Sequence, residues 1–379
     1  MTPRLSLPLL DYLRMVPDFR SDRGKRFLLY AILTHACAAV LCGCRSLSAV
    51  AQWGRDYGPQ VASALGYRGT QTPCTTTFHL ILKDLDCPAV DWAIGAWADG
   101  VLSQRNCKET LAACAIDGKT LRGTLEHVDV PALHLLAAVS HQLGLSRGQV
   151  PTEEHGTENT AVLALLKSLQ LPGWLVTMDA FFTKRQVAKA ILDQGGDYLM
   201  VAKQNAPVLM EEIALLFTEP EHLEHLATAR TTNIHGDRVE TRHLWVSSDL
   251  AGYLDWPGAQ QVMRLERTVI HKRTGKEYQE ISYAVTSAHR DRASATQLLQ
   301  AWRGHWQIEA LHWVRDVTFG EDHSQVCTGG APWIMASLRN VAVGLMRAAG
   351  HTNIAAACRR HAARPEEALS LLSLSIGEN

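Results

Sequence analysis

No two of the nine cysteines are spaced as C-x-x-C, and none has a matching histidine spacing. An odd count without such pairs argues against a disulfide framework and against a structural zinc site. Several of these thiols lie among Ala and Leu, where a reduced cysteine behaves as a small hydrophobe, and the expected compartment is a reducing cytoplasm. Net charge is nearly absent too. Lys plus Arg (37) against Asp plus Glu (38) leaves -1, which excludes a uniformly polycationic nucleic-acid binder but not local basic patches. Internal repeats and low-complexity stretches are missing. Long apolar runs are missing with one exception: residues 27–44 hold 18 residues without a formal charge, long enough to be tested as a membrane span. Thr34, His35 and Gly43 interrupt it, no second run joins it, and it starts too far in for a signal peptide. It predicts a buried helix rich in Ala and Cys, and no membrane partner.

Hydrophobic residues make up 46% of 379, enough for sizeable cores in two or three domains. The charges are segregated. Residues 1–30 carry Arg4, Arg14, Arg20, Arg23, Lys25 and Arg26 against three acids, and residues 339–364 carry five arginines and no acid. Such runs are solvated helix faces unless a site lies between them.

The first 106 residues read as helices: 9–15, 25–41, 46–57 capped by Ser46 or Ser48, 61–65, one opened by Thr75–Thr77, and 91–104. A short helix pair before a Thr-capped helix is compatible with a DNA-reading helix-turn-helix, although helix pairs that merely pack together are commoner. Residues 105–108 read as a linker. Strands follow at 111–116, 134–140 and 143–150, then a helix at 159–169, a strand at 174–178, a helix at 185–192, a strand at 198–202 and a helix at 208–217. That order is mixed α/β around one sheet. Residues 218–290 form a β-rich insertion with a hairpin at 273–276, and helices return at 293–314, 332–349 and 353–361.

Two acids, Asp117 and Asp179, directly follow apolar runs. A carboxylate at the end of a core strand is costly to desolvate unless it is paired, hydrogen-bonded or bound to a cation. If the strands are neighbours, the two carboxylates converge, and Mg²⁺ relieves their repulsion. The competing reading makes each Asp a turn or cap residue. Glu309, among Trp306, Ile308 and Leu311 on an amphipathic helix, is the candidate third acid. His305 and His312 flank it without a HExxH pattern, and Glu321–Asp322 lies downstream as a loop pair.

Three blocks, AIDGKTLRG (115–123), VTMDA (176–180) with GGDYLMVAK-x-N (195–205), and RGHWQIE-x-LHWV-x-DVTF-x-ED (303–322), resemble the H-repeat-associated (ISAs-type) insertion-sequence transposases of the DDE class. The resemblance runs from about Leu9 to Leu372. It implies a ribonuclease-H-like mixed-sheet core with a β-rich insertion, preceded by an all-α N-terminal domain and followed by C-terminal helices. The corresponding segments are 1–106, 107–350 with the insertion at about 218–290, and 351–379. It implies Asp117, Asp179 and Glu309 as catalytic, metal-binding acids. Lys119, Arg122, Lys203, Arg303 and His305 are expected on DNA, with Asn205 in the turn after Lys203. Two Mg²⁺ ions, with Mn²⁺ as substitute, are expected to drive nicking and joining. The expected partners are double-stranded terminal-repeat and target DNA, and a second copy during synapsis.

The sequence departs from the family pattern in places. Lys203–Gln204–Asn205–Ala206 lacks the usual Gly and final Gln, and Gly156–Thr157–Glu158–Asn159 scrambles a Lys-Thr-Asn-Glu block. Ala310 stands for a frequent Asn and Arg315 for a frequent Leu. The Tyr, Arg and Lys of the related Tyr-Arg-Glu-Lys signature are Trp302, His305 and Asp316. The alternatives are a catalytically degenerate or domesticated DNA-binding protein of the same family, and a ribonuclease-H-like nuclease unrelated to transposition.

Overall fold

The computed structural model describes residues 8–23, 25–104, 111–124, 132–152, 158–218 and 223–373. The expected linker at 105–108 and positions 156–157 of the scrambled block lie outside them. Five helices come first: α1 (Leu9–Leu13), α2 (Leu29–Leu41), α3 (Leu47–Ala64), α4 (Thr75–Asp84) and α5 (Cys87–Gln104). Three strands follow, β1 (Ala113–Thr120), β2 (His134–Ser140) and β3 (Ser146–Thr152). Then come α6 (Glu158–Ser168), β4 (Leu175–Met178), α7 (Arg185–Asp193), β5 (Asp197–Ala202) and α8 (Pro207–Leu216). The insertion supplies β6 (Ala227–His235), β7 (Arg238–Ser247), β8 (Gln261–His271) and β9 (Glu277–Thr286). The C-terminal helices are α9 (Ala295–Gly304), α10 (Trp306–Val317), α11 (Ala331–Ala348), α12 (Ile354–Ala363) and α13 (Pro365–Leu371). This is a mixed α/β protein with helices at both ends. Two compact units form, and neither is a continuous segment: Met1–Asn106, Gly118–Ala161 and Gln307–Asn379 make the first, Cys107–Asp117 and Val162–Trp306 the second.

In the first unit, α2 is the uncharged run seen in the sequence. It is only 13 residues long, and every residue except Tyr30 is buried. No helix among the described residues is long and apolar enough to cross a membrane. His35 shows why a polar residue is tolerated at its centre. Its Nδ1 lies 3.1 Å from the Tyr67 hydroxyl and its Nε2 lies 3.1 Å from the Val50 carbonyl oxygen. Trp53, Tyr67 and Phe78 surround the ring. Burial pushes its pKa down to about 4, so the imidazole stays neutral. A Cβ at Gly54 would come within 2.3 Å of that ring, so α3 can pass this closely only with glycine.

The N-terminal helices match expectation in one respect and depart from it in another. Helix α3 is two helical segments, as expected at 46–57 and 61–65, broken where Gly58 takes a non-helical φ of 54° and Pro59 follows. Ser46 caps it by accepting a hydrogen bond from the Ala49 N–H. Helix α4 begins after Cys74, not on a threonine cap: Thr75, Thr76 and Thr77 are its first turn, and no side chain caps the N-terminus.

Helix α11 is buried along nearly its whole length and packs on α2, α4 and α5. Among these elements lies a fully buried acid, Asp91 of α5. Its carboxylate accepts hydrogen bonds from Ser337 Oγ (2.7 Å), Gln149 Nε2 (3.3 Å) and the Trp333 indole N–H. Desolvation outweighs these donors and the more distant Arg315, and the pKa is pushed up to about 7.

In the second unit the strand order is β1-β4-β5-β9-β8-β7-β6, with β1, β4 and β5 parallel and the remainder antiparallel. The insertion is therefore a four-stranded meander that extends the same sheet. Its inner face joins Leu244, Met263, Leu265 and Ala284 to Leu175, Leu199 and the apolar stripe of α9, Leu298 and Leu299. A capping box, Ser294 with Gln297, starts α9. The single helix expected over 293–314 is two helices divided at His305, just after Gly304, the weakest helix former nearby.

Asp91 gives a pH test with a defined sign. Its folded pKa lies above its unfolded value, so its contribution to stability is complete below about pH 4 and is lost as pH rises through about 7. Chemical denaturation of wild type and Asp91→Asn between pH 4 and 8 should show wild type losing stability relative to the variant as pH rises. Parallel profiles would contradict the raised pKa.

Candidate active site

The strand expected to end at Ile116 continues through Asp117, Gly118 and Lys119 to Thr120, so Asp117 lies inside β1 and is half-buried. The continuation depends on Gly118, where a Cβ would meet the His134 ring at 2.3 Å. Beside β1 runs β4, in the parallel register Cys114↔Val176, Ala115↔Thr177, Ile116↔Met178. The next residue on each strand is an acid, Asp117 on one and Asp179 on the other. Asp179 is exposed and starts a short 3-10 turn at Ala180–Phe182, its Oδ1 accepting the Ala180 N–H at 2.5 Å. It is a cap residue as the competing reading has it, and it also stands directly after a core strand.

Several groups hold this end of the second unit in place. Thr177 Oγ1 donates to the Cys114 carbonyl oxygen at 3.3 Å and lies 3.1 Å from His305 Nδ1. Burial lowers the His305 pKa against the opposing pull of Asp179, so the imidazole is neutral near pH 7. Asn205 Nδ2 donates to the carbonyl oxygens of Ala180 and Thr183, and Thr183 Oγ1 donates to that of Val201 at 2.7 Å. The Lys203–Asn205 turn thus braces the turn that begins at Asp179, with Lys203 itself exposed. Arg303 is half-buried, and its guanidinium donates to the Asn233 side-chain oxygen at 2.8 Å.

The remaining motif residues belong to the first unit. Glu309 is exposed in the first turn of α10. Lys119 is buried, and its Nζ lies 2.7 Å from Asp316 and 3.5 Å from Asp322. Arg122 is mostly exposed, 3.8 Å from Asp322. Lys119 and His305, both expected on DNA phosphate, also have internal partners: the ammonium is engaged by two carboxylates and the imidazole lies against Thr177. Gly123 comes so close to the turn at Glu321–His323 that a Cβ would stand 2.3 Å from the Ser324 carbonyl oxygen.

Arg315, a departure from the family pattern, acquires a reason. Glu321 is 1% exposed between two arginines, Arg315 at 2.7 Å and Arg339 at 2.9 Å, both equally buried. The two cations hold its pKa below the usual carboxylate range despite desolvation. This changes the reading of the C-terminal basic segment as well. Arg339 is consumed in the triad, while Arg360 and Arg364 pair with Glu367, whose pKa falls to about 2. Near the N-terminus Arg14, Arg20 and Lys25 likewise pair with Asp11, Asp18 and Asp22. Part of the positive charge of each segment is thus neutralised by acids outside the counted windows or interleaved with them.

Asp117 and Asp179 offer only carboxylate oxygen, the donor type that suits Mg²⁺ or Mn²⁺ over soft metals. Among the described residues no group of three or more His, Cys, Asp or Glu side chains is gathered so as to hold a metal ion. None of the eight described cysteines is in a disulfide. Sequence reading missed the pairing of Lys119 with Asp316, the bracing role of Asn205 and the Asp91 network. Partners 197 residues apart leave no periodic signal.

Residues 110–343 match the family described as Transposase DDE domain, and residues 10–98 match the one described as DDE_Tnp_1-associated. The chain belongs to the DDE-domain transposase family. Its relatives include "Putative transposase YncI" of Escherichia coli O157:H7, 29% identical over 350 residues and covering 89% of this chain and 87% of that protein. Another is "H repeat-associated putative transposase YhhI" of Escherichia coli strain K12, 26% identical over 357 residues, with 89% and 90% covered. The H-repeat-associated group anticipated from the three motif blocks is thus the one its relatives carry by name. A cryo-EM structure of a piggyBac transposase synaptic complex with hairpin DNA aligns over 98% of this chain and 77% of that one at 11% identity and TM-score 0.39, too slight a likeness to bear on the chemistry.

The buried triad predicts a large stability effect from a nearly isosteric change. Glu321→Gln leaves two desolvated arginines without their carboxylate and should cost about 3–5 kcal/mol in urea unfolding. A loss below about 1 kcal/mol would mean that the pair is hydrated in solution.

Proposed function

We propose that this chain cleaves DNA strands at insertion-sequence ends and joins them to target DNA, with Asp117, Asp179 and Glu309 as the acidic triad. The observation that carries this reading is the β1–β4 register, whose last pair, Ile116↔Met178, is followed on each chain segment by one of these acids. The order β1-β4-β5 of parallel strands, together with the antiparallel β2-β3 pair, supports a ribonuclease-H-like sheet. The acids would hold the divalent cations, two Mg²⁺ or their Mn²⁺ substitutes. When bound, these supply Lewis-acid activation of the attacking oxygen and neutralise charge on the phosphate.

The protein's own contribution is positioning. The Ala180 N–H fixes one Asp179 oxygen and leaves the other available. Asn205 and Thr183 fix the turn behind it, and the His305–Thr177 hydrogen bond ties β4 to the end of α9. Lys119 holds β1 through Asp316 and Asp322. The exposed cations Arg122 and Lys203, with the half-buried Arg303, are the phosphate contacts in this reading.

The test is nicking of double-stranded DNA carrying the element's terminal repeats, in Mg²⁺ and separately in Mn²⁺. Asp117→Asn, Asp179→Asn and Glu309→Gln should each lower the rate at least about 100-fold, since loss even of groups supporting metal ligands costs 10–100-fold. Mobility-shift affinity for the same DNA should be retained. An Asp179→Asn protein that cleaves at the wild-type rate would sink the assignment. A wild-type protein that binds the repeats but cleaves in neither metal would favour the degenerate DNA-binding alternative.

A further inference from the structure

The two outer strands of this chain are built differently. In the first unit, β3 carries Pro151, faces a register shift between Ala138 and Val139 on β2, and packs against α5. A proline, a bulge and a covering helix each blunt a sheet edge. In the second unit, β6 carries neither the proline nor the bulge, although α9 packs on it as α5 does on β3. Its nine residues pair with β7 at nine consecutive positions without a bulge, and they include no proline, lysine or acid. Among the described residues no strand pairs with its other side. An edge of this length presents a row of N–H and C=O groups that another strand is shaped to satisfy.

The hairpin geometry identifies which groups face outward. The loop between β6 and β7 is two residues, Gly236 and Asp237, with Gly236 at φ 55°. A two-residue loop closes on a hydrogen-bonded pair, here His235↔Arg238, and hydrogen-bonded pairs then alternate along the ladder. Positions 227, 229, 231, 233 and 235 therefore direct their backbone groups to β7. Thr228, Arg230, Thr232 and Ile234 direct theirs outward, and all four side chains are exposed, Ile234 at 63%.

We propose that β6 pairs antiparallel with β6 of a second copy of this chain, continuing the sheet across a two-fold axis at Thr231. In that register Thr228 faces Ile234 of the second copy, Arg230 faces Thr232, and every outward position meets another outward position. The methyl of threonine lies against isoleucine, and the strand's one formal charge meets a hydroxyl. Slipping by one ladder step in one direction sets Arg230 against its own copy, a like-charge pair that destabilises a sheet. Slipping in the other direction leaves one outward residue of each strand unpaired. The edge is thus self-complementary in one register, as a two-fold interface requires. The chemistry assigned to Asp117, Asp179 and Glu309 plays no part in this, and a cleavage-inactive protein would leave it untouched.

Sedimentation equilibrium of the full chain tests the pairing. Wild type should be a dimer. Thr232→Pro removes an N–H that β7 does not use, so the circular dichroism spectrum should be retained while the dimer weakens at least about tenfold. Thr232→Lys keeps the backbone and places an ammonium opposite Arg230 of the second copy, giving weakening that salt partly reverses. The register is tested by Thr228→Cys/Ile234→Cys, which should form a disulfide-linked dimer under mild oxidation while neither single variant does. Within one chain these positions lie roughly 20 Å apart along the strand, too far to bridge. A wild-type monomer at tens of micromolar overturns the proposal. So does a Thr232→Lys dimer as tight as wild type, or a double-cysteine variant that crosslinks no better than the singles. If Thr232→Pro fails to fold, the lysine and cysteine variants decide.

Discussion

The parallel pairing of β1 with β4 is the constraint on which the candidate site depends. Four residue pairs, from Ala113↔Leu175 to Ile116↔Met178, are held at both strands by apolar side chains, with Thr177 the one polar member. Strand side chains alternate between faces, so a slip of one residue would turn this apolar set over, and the buried positions resist that. The register that survives ends one residue before Asp117 on one strand and one residue before Asp179 on the other. Neither acid contributes to the core that brings it there; the apolar residues before them do.

A second constraint governs the first unit: charge removed from water must find opposite charge or several donors. Glu321 lies between Arg315 and Arg339, Lys119 reaches Asp316 and Asp322, and Asp91 takes three neutral donors in place of a cation. The difference appears in their protonation. Glu321 is held ionised by its two arginines, whereas Asp91, hydrogen-bonded to Ser337, Gln149 and Trp333, has its pKa raised to about 7. These contacts join α5, α10 and α11 with β1, β3 and the turn at Glu321–His323, segments far apart along the chain.

Much of the fold was legible before the structure, and the reasons are local. Strand β2 lies where an unbroken apolar run ends in Ser140, and α7 where helical spacing follows Lys184. The hairpin at 273–276 was marked by Gly275, which takes φ 66°. Asp179 was legible both as a strand-end acid and as a cap. What escaped was longer-range. The strand containing Asp117 seemed to stop there because GKT is polar, yet it continues since Gly118 lets His134 approach. The 293–314 pattern read as one helix because apolar periodicity carries across His305 without a break.

The sequence by itself determined the family, the α/β order, the burial of residues 29–41 and the identity of the candidate acids, because motif blocks, apolar runs and helical periods are properties of neighbours along the chain. Only the tertiary structure decided that Arg14, Arg20, Arg339, Arg360 and Arg364 sit in ion pairs, that Lys119 serves two carboxylates, and that the insertion extends the sheet to an edge strand, β6, without proline or bulge. Those outcomes turn on which distant residues share a few ångströms of desolvated space. No count or period in a linear sequence encodes that proximity.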